Sequence, residues 1–369
     1  MPVTPLRSGI VGFGFIGEVH ARAVRAAGGV VAGVAASSPD RAAVGAARVG
    51  AEHAFDSAIE LIESDDIDVV HVCTPNAHHL DIAEHALKNG KTVICEKPLA
   101  LSRADAEHLA SIAETNSVVT AVPFVYRFYP AVRDARHRIA NGETGRLRVL
   151  HGSYLQDWMS NPADGNWRVD PAAGGASRAF ADIGVHWCDL MEFTTGHRIV
   201  RISARTVIAF AQRGADPADP AGMVDVTTED AATVIFETDR GAIGSVVVSQ
   251  VSPGRKNRLW FSFDGADASV GFNQESPDSL WLGGRTTNQT VMRSPETLPA
   301  SAQRYSLLPA GHPQGYQDSF NAFVGDVYAT VRGETVDGLP TFADGLRAAV
   351  LTDAVLRSAA TDSWIEVAT

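Results

Sequence analysis

The 369 residues suffice for two or three domains at roughly 150 residues apiece. Apolar residues make up 45% and charged residues 20%, with 33 glycines and 18 prolines, an ordinary globular composition that excludes collagen-like and low-complexity chains. A net charge of −12 leaves no electrostatic footprint for gripping a phosphate backbone, so no nucleic-acid partner is expected. Cys73, Cys95 and Cys188 form no spaced framework and read as reduced thiols. Residues Met1 to Arg7 carry no charged leader with an apolar stretch behind it. No apolar run approaches the ~18 residues that cross a bilayer. The expectation is a soluble cytoplasmic protein with no membrane partner. Only Lys88, Lys91, Lys97 and Lys256 are lysine, which makes a lysine inside a motif harder to dismiss as chance.

Short apolar runs alternate with helical patterns over the first 125 residues. Strands are predicted near Ser8–Gly12, Val30–Ala36, Asp68–Cys73, Thr92–Cys95 and Val118–Pro123, and helices near Gly17–Ala27, Arg41–Val49, His78–Lys88 and Ala104–Glu114. Nearly continuous apolar runs suit parallel strands covered on both faces, and strand–helix alternation implies βαβ units. Residues 1–125 are therefore expected to form a Rossmann-type doubly wound α/β domain. Beyond Pro130 the pattern changes: a strand at Leu147–Gln156, a Gly/Pro/Asp-rich stretch at Asp157–Gly175, and a helix at Phe180–Thr194 stopped near Gly196. Alternating, β-branched runs follow at Val200–Phe210, Ala231–Thr238, Ala242–Gln250, Leu259–Asp264 and Leu280–Leu282, with Asp239-Arg240-Gly241 as a hairpin turn. Arg285–Arg304 reads as irregular, and helices return at Gly315–Val331 and Phe342–Ala359. Residues 126–369 are expected to form an α+β domain with a large, mostly antiparallel sheet.

Gly12-Phe13-Gly14-Phe15-Ile16-Gly17 follows the first strand and opens the first helix. The first glycine permits a tight turn, the second lets backbone approach a pyrophosphate, and the third lets helix pack on strand. The helix N-terminus adds N–H groups and a positive dipole for the phosphates. With the βαβ context around it, this motif predicts dinucleotide binding through Gly12, Gly14, Phe15, Ile16 and Gly17. A carboxylate for the adenosine ribose is expected about 20 residues later, where the chain instead reads Ala36-Ser37-Ser38-Pro39-Asp40-Arg41. Ser37 and Ser38 can bond a 2′-phosphate and Arg41 can neutralise it, so NADP is admitted and slightly favoured over NAD. The plainer alternative is that the serines cap the next helix.

Further motifs follow in order: Cys73-Thr74-Pro75-Asn76 with His78 and His79, Glu96-Lys97-Pro98, Tyr126-Arg127-Phe128-Tyr129-Pro130, Gly174-Gly175, and Asp182-Ile183-Gly184-Val185-His186-Trp187-Cys188-Asp189. The ordered set resembles the glucose–fructose oxidoreductase/inositol dehydrogenase (Gfo/Idh/MocA) family along nearly the whole chain. The resemblance implies NAD(P)-dependent hydride transfer at a secondary hydroxyl of a sugar, inositol or related polyol. It further implies a homodimer or homotetramer, a cis bond at Pro98, and Lys97, Asp182 and His186 at the catalytic positions. The missing acid after the second strand and the aromatic Trp187 beside the histidine depart from the family pattern.

Oxidising an alcohol needs a base within hydrogen-bond reach of the hydroxyl. Asp182 and His186 stand at i and i+4, which places both on one helix face. His186 is the expected acid/base, Asp182 an orienter and hydroxyl ligand, and Lys97 a polarising donor or alternate proton carrier at the carboxyl edge of the sheet. Thr74, Pro75, Asn76, His79, Glu96, Lys97 and Arg127 are expected around the coenzyme, and Tyr126, Trp167 and Arg168 join Lys97, Asp182 and His186 around the substrate. Each has a plainer reading: a surface turn for Lys97-Pro98, a solvated or capping pair for Asp182 and His186, hinge packing for Tyr126 and Arg127, loop anchoring for Trp167. Asp189 reads as part of a polar face or as a local hydrogen-bond partner, and Tyr316 and Phe320 as core. No Cys/His spacing matches a metal site. Two other functions stand as alternatives: a glycoside hydrolase using the same residues through transient oxidation by bound NAD and elimination, and a nucleotide-sensing protein without turnover, against which Lys97, Asp182 and His186 together count.

Overall fold

The computed structural model describes residues 4–216 and 219–368; residues 1–3, part of the N-terminal stretch read above, lie outside the described residues. The chain divides into two compact units, Met1–Val125 with Tyr316–Ala349, and Tyr126–Gly315 with Val350–Thr369. The first break between the units falls after Val125. The segment Tyr316–Ala349, assigned above to the second domain, packs instead with the first unit.

The first unit runs β1 (Arg7–Val11), α1 (Phe15–Ala26), β2 (Val30–Ala35), α2 (Pro39–Val49), β3 (His53–Ala54), α3 (Ala58–Glu63), β4 (Val69–Val72), α4 (His79–Lys88), β5 (Thr92–Cys95), α5 (Arg103–Asn116) and β6 (Thr120–Ala121). Its six strands are parallel in the order β3-β2-β1-β4-β5-β6. The connection reverses direction beside β1, and the crevice outside the carboxyl ends of β1 and β4 is where such sheets take ligands. Ile10, Val31 and Val34 from the strands meet Ala21 and Val24 of α1 in the core. β3 and α3 were not foreseen; both are short, and Ser57 caps α3 by accepting from the Glu60 N–H. α2 starts at Pro39, two residues earlier than expected, because Ser38 caps it and proline fits the first helical turn. β6 is shorter than Val118–Pro123: the Val122 N–H donates to the Pro340 carbonyl instead of a strand neighbour, and Pro123 has no N–H to give. The helix Tyr316–Val331 lies against α1, where Gln317 donates to the Val19 carbonyl at 3.1 Å and accepts from Arg22 at 3.0 Å.

The second unit contains α6 (Pro130–Ala140), β7 (Leu147–Leu155), α7 (Pro171–Gly174), α8 (Val185–Thr195), β8 (Ile199–Val207), β9 (Gln212–Asp216), β10 (Asp219–Asp225), β11 (Ala231–Thr238), β12 (Ile243–Ser249), β13 (Arg258–Gly265), β14 (Ala268–Asn273), β15 (Ser279–Gly284), β16 (Asn288–Met292) and α9 (Ala300–Gln303). The helix Tyr316–Val331 is α10; α11 (Phe342–Thr361) and β17 (Ile365–Glu366) close the chain. Nine strands form one sheet in the order β16-β15-β14-β13-β7-β12-β11-β8-β17. Every pairing is antiparallel except β7 with β12. The expected hairpin joins β11 to β12: Gly241 takes φ +77° and its N–H donates to the Thr238 carbonyl at 2.9 Å. The stretch Arg285–Arg304, expected to be irregular, holds β16 and α9. β16 is an edge strand of mostly exposed residues, so no buried face wrote an alternating pattern into it.

Alternation sorts the sheet's two faces. Leu150, Val246, Val248, Phe261 and Phe263 are buried, while Val149, Ile235, Ile243, Val247 and Trp281 are exposed. Beneath the segment that leads into α8 lies a charged cluster with no solvent exposure of its ionic groups: the Asp230 carboxylate meets the guanidinium groups of both Arg178 and Arg213. Asp230 also accepts from the Ala209 N–H at 2.7 Å. Burial pulls the Arg213 guanidinium below its ordinary value, and Asp230 opposes that pull. Removing one member of such a cluster leaves the others buried and uncompensated. Asp230→Ala is expected to cost about 3–5 kcal/mol of folding free energy, read as a lower urea midpoint; a midpoint unchanged from the parent chain would contradict this account.

Candidate active site

β1 is followed by Gly12 with φ +93°, whose N–H donates to the Ala35 carbonyl at 2.9 Å. A Cβ there would stand 2.6 Å from the backbone of Cys73, so the turn after β1 needs glycine on conformational and steric grounds alike. Gly14 precedes α1 with open space in front of it, since a Cβ would meet nothing within 4 Å. Open space at a helix N-terminus with unsatisfied N–H groups fits the pyrophosphate of a dinucleotide. A Cβ on Gly17 would lie 2.6 Å from the Gly12 carbonyl oxygen, the close packing expected of the third glycine. Phe15 is 73% exposed, whereas Ile16 packs against the core and offers a ligand only its backbone.

The turn after β2 is more committed than the sequence suggests. The Ser38 hydroxyl caps α2, accepting from the Arg41 N–H at 3.3 Å, and the Ser37 hydroxyl accepts from the Arg41 guanidinium at 3.1 Å. At the ends of β4 and β5, Thr74 is half-buried, Pro75 exposed, Asn76 buried, His78 exposed and Lys97 half-buried. The Lys97–Pro98 bond is cis. Both nitrogens of the buried His79 ring face carbonyl oxygens, Nδ1 that of Pro98 at 2.8 Å and Nε2 that of Thr74 at 3.0 Å. Burial draws its pKa below the ordinary histidine value, against the two carbonyls. His79 thus ties the Lys97 turn to the Thr74 turn. Glu96 accepts from the Lys97 N–H at 3.2 Å.

In the second unit, the predicted helix at Phe180–Thr194 begins with a π-helical turn, Phe180–Gly184, before α8 proper. Such wide turns are frequent at functional sites, and this one carries Asp182. Glu229 caps its entry, accepting from Ser177 Oγ at 2.7 Å and from the Arg178 and Phe180 N–H groups at 3.1 and 2.8 Å. Asp182 accepts from Gln250 Nε2 at 2.7 Å and lies 3.6 Å from Arg168 Nε. Gln250 in turn accepts from Arg178 at 3.3 Å, linking Asp182 to the Asp230 cluster. His186 is buried with its ring edge-on to Tyr126, centroids 5.1 Å apart, and tilted to Tyr154 at 6.3 Å. Tyr154 donates to Asn257 Oδ1 at 2.7 Å and Asn257 Nδ2 donates to Tyr126 at 3.3 Å. Tyr126 bonds Tyr154 in turn, which closes a ring of three groups. Burial pushes the Tyr126 hydroxyl above its ordinary value, so it stays a neutral donor.

Arg127 is engaged by Asp189 through two hydrogen bonds and stacks over Phe193 at 5.0 Å. Arg168 lies over the Trp167 ring at 4.3 Å. Trp187 is a core residue: it is buried, donates to the Trp260 carbonyl at 2.9 Å, and packs against Phe236 and Phe263. Phe320 is buried as expected. Cys73, Cys95 and Cys188 are free and buried. Among the described residues no helix is long and apolar enough to cross a membrane, and no cluster of three or more candidate metal ligands occurs. Sequence reasoning missed Gln250, Tyr154, Asn257 and Glu229, which act through side-chain partners 28 to 131 positions away and leave no local signature. It also missed His20 and His71, although a histidine inside the apolar run of β4 was a visible anomaly.

The glycine turn generates a paired expectation. Gly12→Ala should destabilise the first unit, whereas Gly14→Ala should leave thermal stability unchanged and weaken NADH binding, read by fluorescence titration. Equal effects of the two substitutions on both readouts would contradict the geometry.

Residues 6–124 match the family model described as "Oxidoreductase family, NAD-binding Rossmann fold", and residues 132–270 match the GFO/IDH/MocA C-terminal domain. The chain is 32% identical to levoglucosan dehydrogenase of Pseudarthrobacter phenanthrenivorans, over 98% of each chain. A solved levoglucosan dehydrogenase, in complex with NADH and levoglucosan, superposes with a TM-score of 0.92 at 30% identity, covering 99% of this chain and all of that one. An inositol dehydrogenase homologue from Azotobacter vinelandii, with NADH and myo-inositol, gives 0.85 at 26%, covering 99% and 98%. The glycine turn, the parallel sheet behind it and the antiparallel sheet that follows in sequence agree with these matches, and the chain belongs to the Gfo/Idh/MocA family of NAD-binding oxidoreductases.

Proposed function

We propose that the chain is a dehydrogenase of a cyclic polyhydroxyl substrate, an anhydrosugar or an inositol, with Lys97, Asp182 and His186 handling the reacting hydroxyl. The observation that carries this reading is His186, buried against Tyr126, four positions after an Asp182 carboxylate aimed by Gln250. A bound nicotinamide supplies the hydride acceptor. His186 takes the hydroxyl proton as the general base. Asp182 accepts a hydrogen bond from a substrate hydroxyl, and Lys97 donates one to the reacting oxygen. Trp167, with one face under Arg168, offers the other to the substrate ring.

NAD is the working coenzyme in this reading. The relatives solved with NADH support it, and Ser38 and Arg41 already have partners within the α2 turn. That turn carries no acid to repel a 2′-phosphate, so NADP is tolerated, and the slight preference for it drawn from the sequence gains no support. Three buried free thiols support a cytoplasmic location. The exposed face of the nine-stranded sheet, with Val149, Ile235, Val247 and Trp281 on the same side, supports a homodimer or homotetramer.

The test follows absorbance of reduced coenzyme with NAD and NADP separately, against levoglucosan, inositols and aldoses, with light scattering for oligomeric state. Turnover is expected with NAD and one cyclic polyol class. Lys97→Ala and His186→Asn should each lower kcat about 10²–10⁴-fold. Full activity in either variant would overturn its assigned role. Free sugar released from a glycoside without accumulation of reduced coenzyme would establish the hydrolytic route instead.

A further inference from the structure

The first unit buries a line of polar groups that the reaction outlined above leaves unused. Tyr328 Oη lies 2.7 Å from Ser8 Oγ, and Ser8 Oγ lies 3.1 Å from His71 Nε2. His71 Nδ1 lies 2.9 Å from His20 Nδ1, and His20 Nε2 lies 3.1 Å from Glu96 Oε1. The other Glu96 oxygen accepts from the Lys97 N–H. The groups come from α10, β1, β4, α1 and the end of β5, and none of the five side-chain residues is more than 7% exposed.

With both imidazoles neutral, the direction of this chain follows from donor counting. A carboxylate only accepts, so His20 donates to it from Nε2. A neutral ring protonated at Nε2 has a bare Nδ1, which accepts from His71 Nδ1–H. His71 then has a bare Nε2 that accepts from the Ser8 hydroxyl, and Ser8 accepts from Tyr328. Each donor is used once, and every hydrogen bond points toward Glu96. The opposite polarity sets a lone pair of His20 against the carboxylate. Burial holds His71 well below its ordinary pKa and therefore neutral, and burial pushes Tyr328 up to about 12, so it keeps its proton. An apolar cluster of the same shape fills this space without burying polar groups; what the polar chain adds is orientation.

We infer that His20 and His71 are positioning residues for Lys97: the one-way chain holds the Glu96 carboxylate, and the carboxylate holds the backbone from which the Lys97 ammonium projects. On the other side of Lys97, His79 holds the Pro98 carbonyl, so the turn is gripped at both ends. The inference rests on the reading of Lys97 as the donor to the reacting oxygen.

Misplacing a reacting group by about 1 Å costs on the order of 10²-fold in rate. His20→Leu is therefore expected to lower kcat on the order of ten- to a hundredfold, with the polyol KM and the NADH Kd little changed. His20→Gln, whose amide both donates to Glu96 and accepts from His71, should recover most of the loss. Independently of turnover, ¹⁵N NMR of histidine-labelled protein near neutral pH should show His20 protonated at Nε2 and His71 at Nδ1. Opposite tautomers overturn the inference. So does a His20→Gln variant no better than His20→Leu, or wild-type kcat in folded His20→Leu. Should His20→Leu fail to fold, His20→Gln and the tautomers decide. Loss of activity in Lys97→Ala together with wild-type kcat in His20→Leu removes this inference alone. Full activity in Lys97→Ala removes the functional reading beneath it, and the inference falls with it.

Discussion

A charge taken out of water must be surrounded by partners or it does not stay charged, and both units of this protein are organised around that constraint. In the first, Glu96 sits buried at the end of β5 with a backbone N–H on one oxygen and an imidazole on the other. In the second, Asp230 holds two guanidinium groups with no solvent exposure, and Glu229 accepts from the three donors that open the π-turn. Neither arrangement is an economical way to gain stability. Each fixes the backbone beside it, at Lys97 in the first unit and at the π-turn that carries Asp182 in the second.

The parallel sheet supplies the complementary constraint. Parallel strands end at one edge, so the turns after β1, β4 and β5 gather there whatever their sequences. What each turn can do then depends on small differences. Gly12 is needed because neighbouring backbone approaches to 2.6 Å, and Gly14 because space must stay open at the mouth of α1. The cis bond after Lys97 and the His79 clamp set the third turn. In the antiparallel unit the same economy appears at the π-turn, where Asp182 reaches Gln250 and, through it, the Asp230 cluster.

Local patterns were legible wherever a single element carried its own signal. The continuous apolar runs of β2 and β4, the glycine turn, the Asp239–Gly241 hairpin and the stop at Gly196 all appear where the chain predicts them. Signals failed where an element has no buried face, as in β16, or only two residues, as in β3, whereas β6 appears but shorter than its signal. Among the functional candidates, Gly12, Lys97, Asp182 and His186 stood out as motif members. Gln250, Asn257, His20 and His71 did not, because a lone polar residue in an apolar stretch acquires meaning only from its partner. Trp187, the aromatic departure from the family pattern beside the histidine, belongs to the sheet's core.

The sequence by itself determined the class of fold and the dinucleotide loop, because these follow from periodicity and from glycines at fixed spacings, while the family entered through the resemblance of its ordered motifs. Backbone sterics and hydrophobic burial act between neighbours along the chain, so they can be read from it. Tertiary structure alone decided that Tyr316–Ala349 returns to the first unit, that Arg127 is held by Asp189, and that Tyr328, Ser8, His71 and His20 line up on Glu96. Those outcomes depend on donors and acceptors meeting across as many as 320 positions of sequence. The one-dimensional pattern carries no record of such meetings, since any of several polar partners would leave it unchanged.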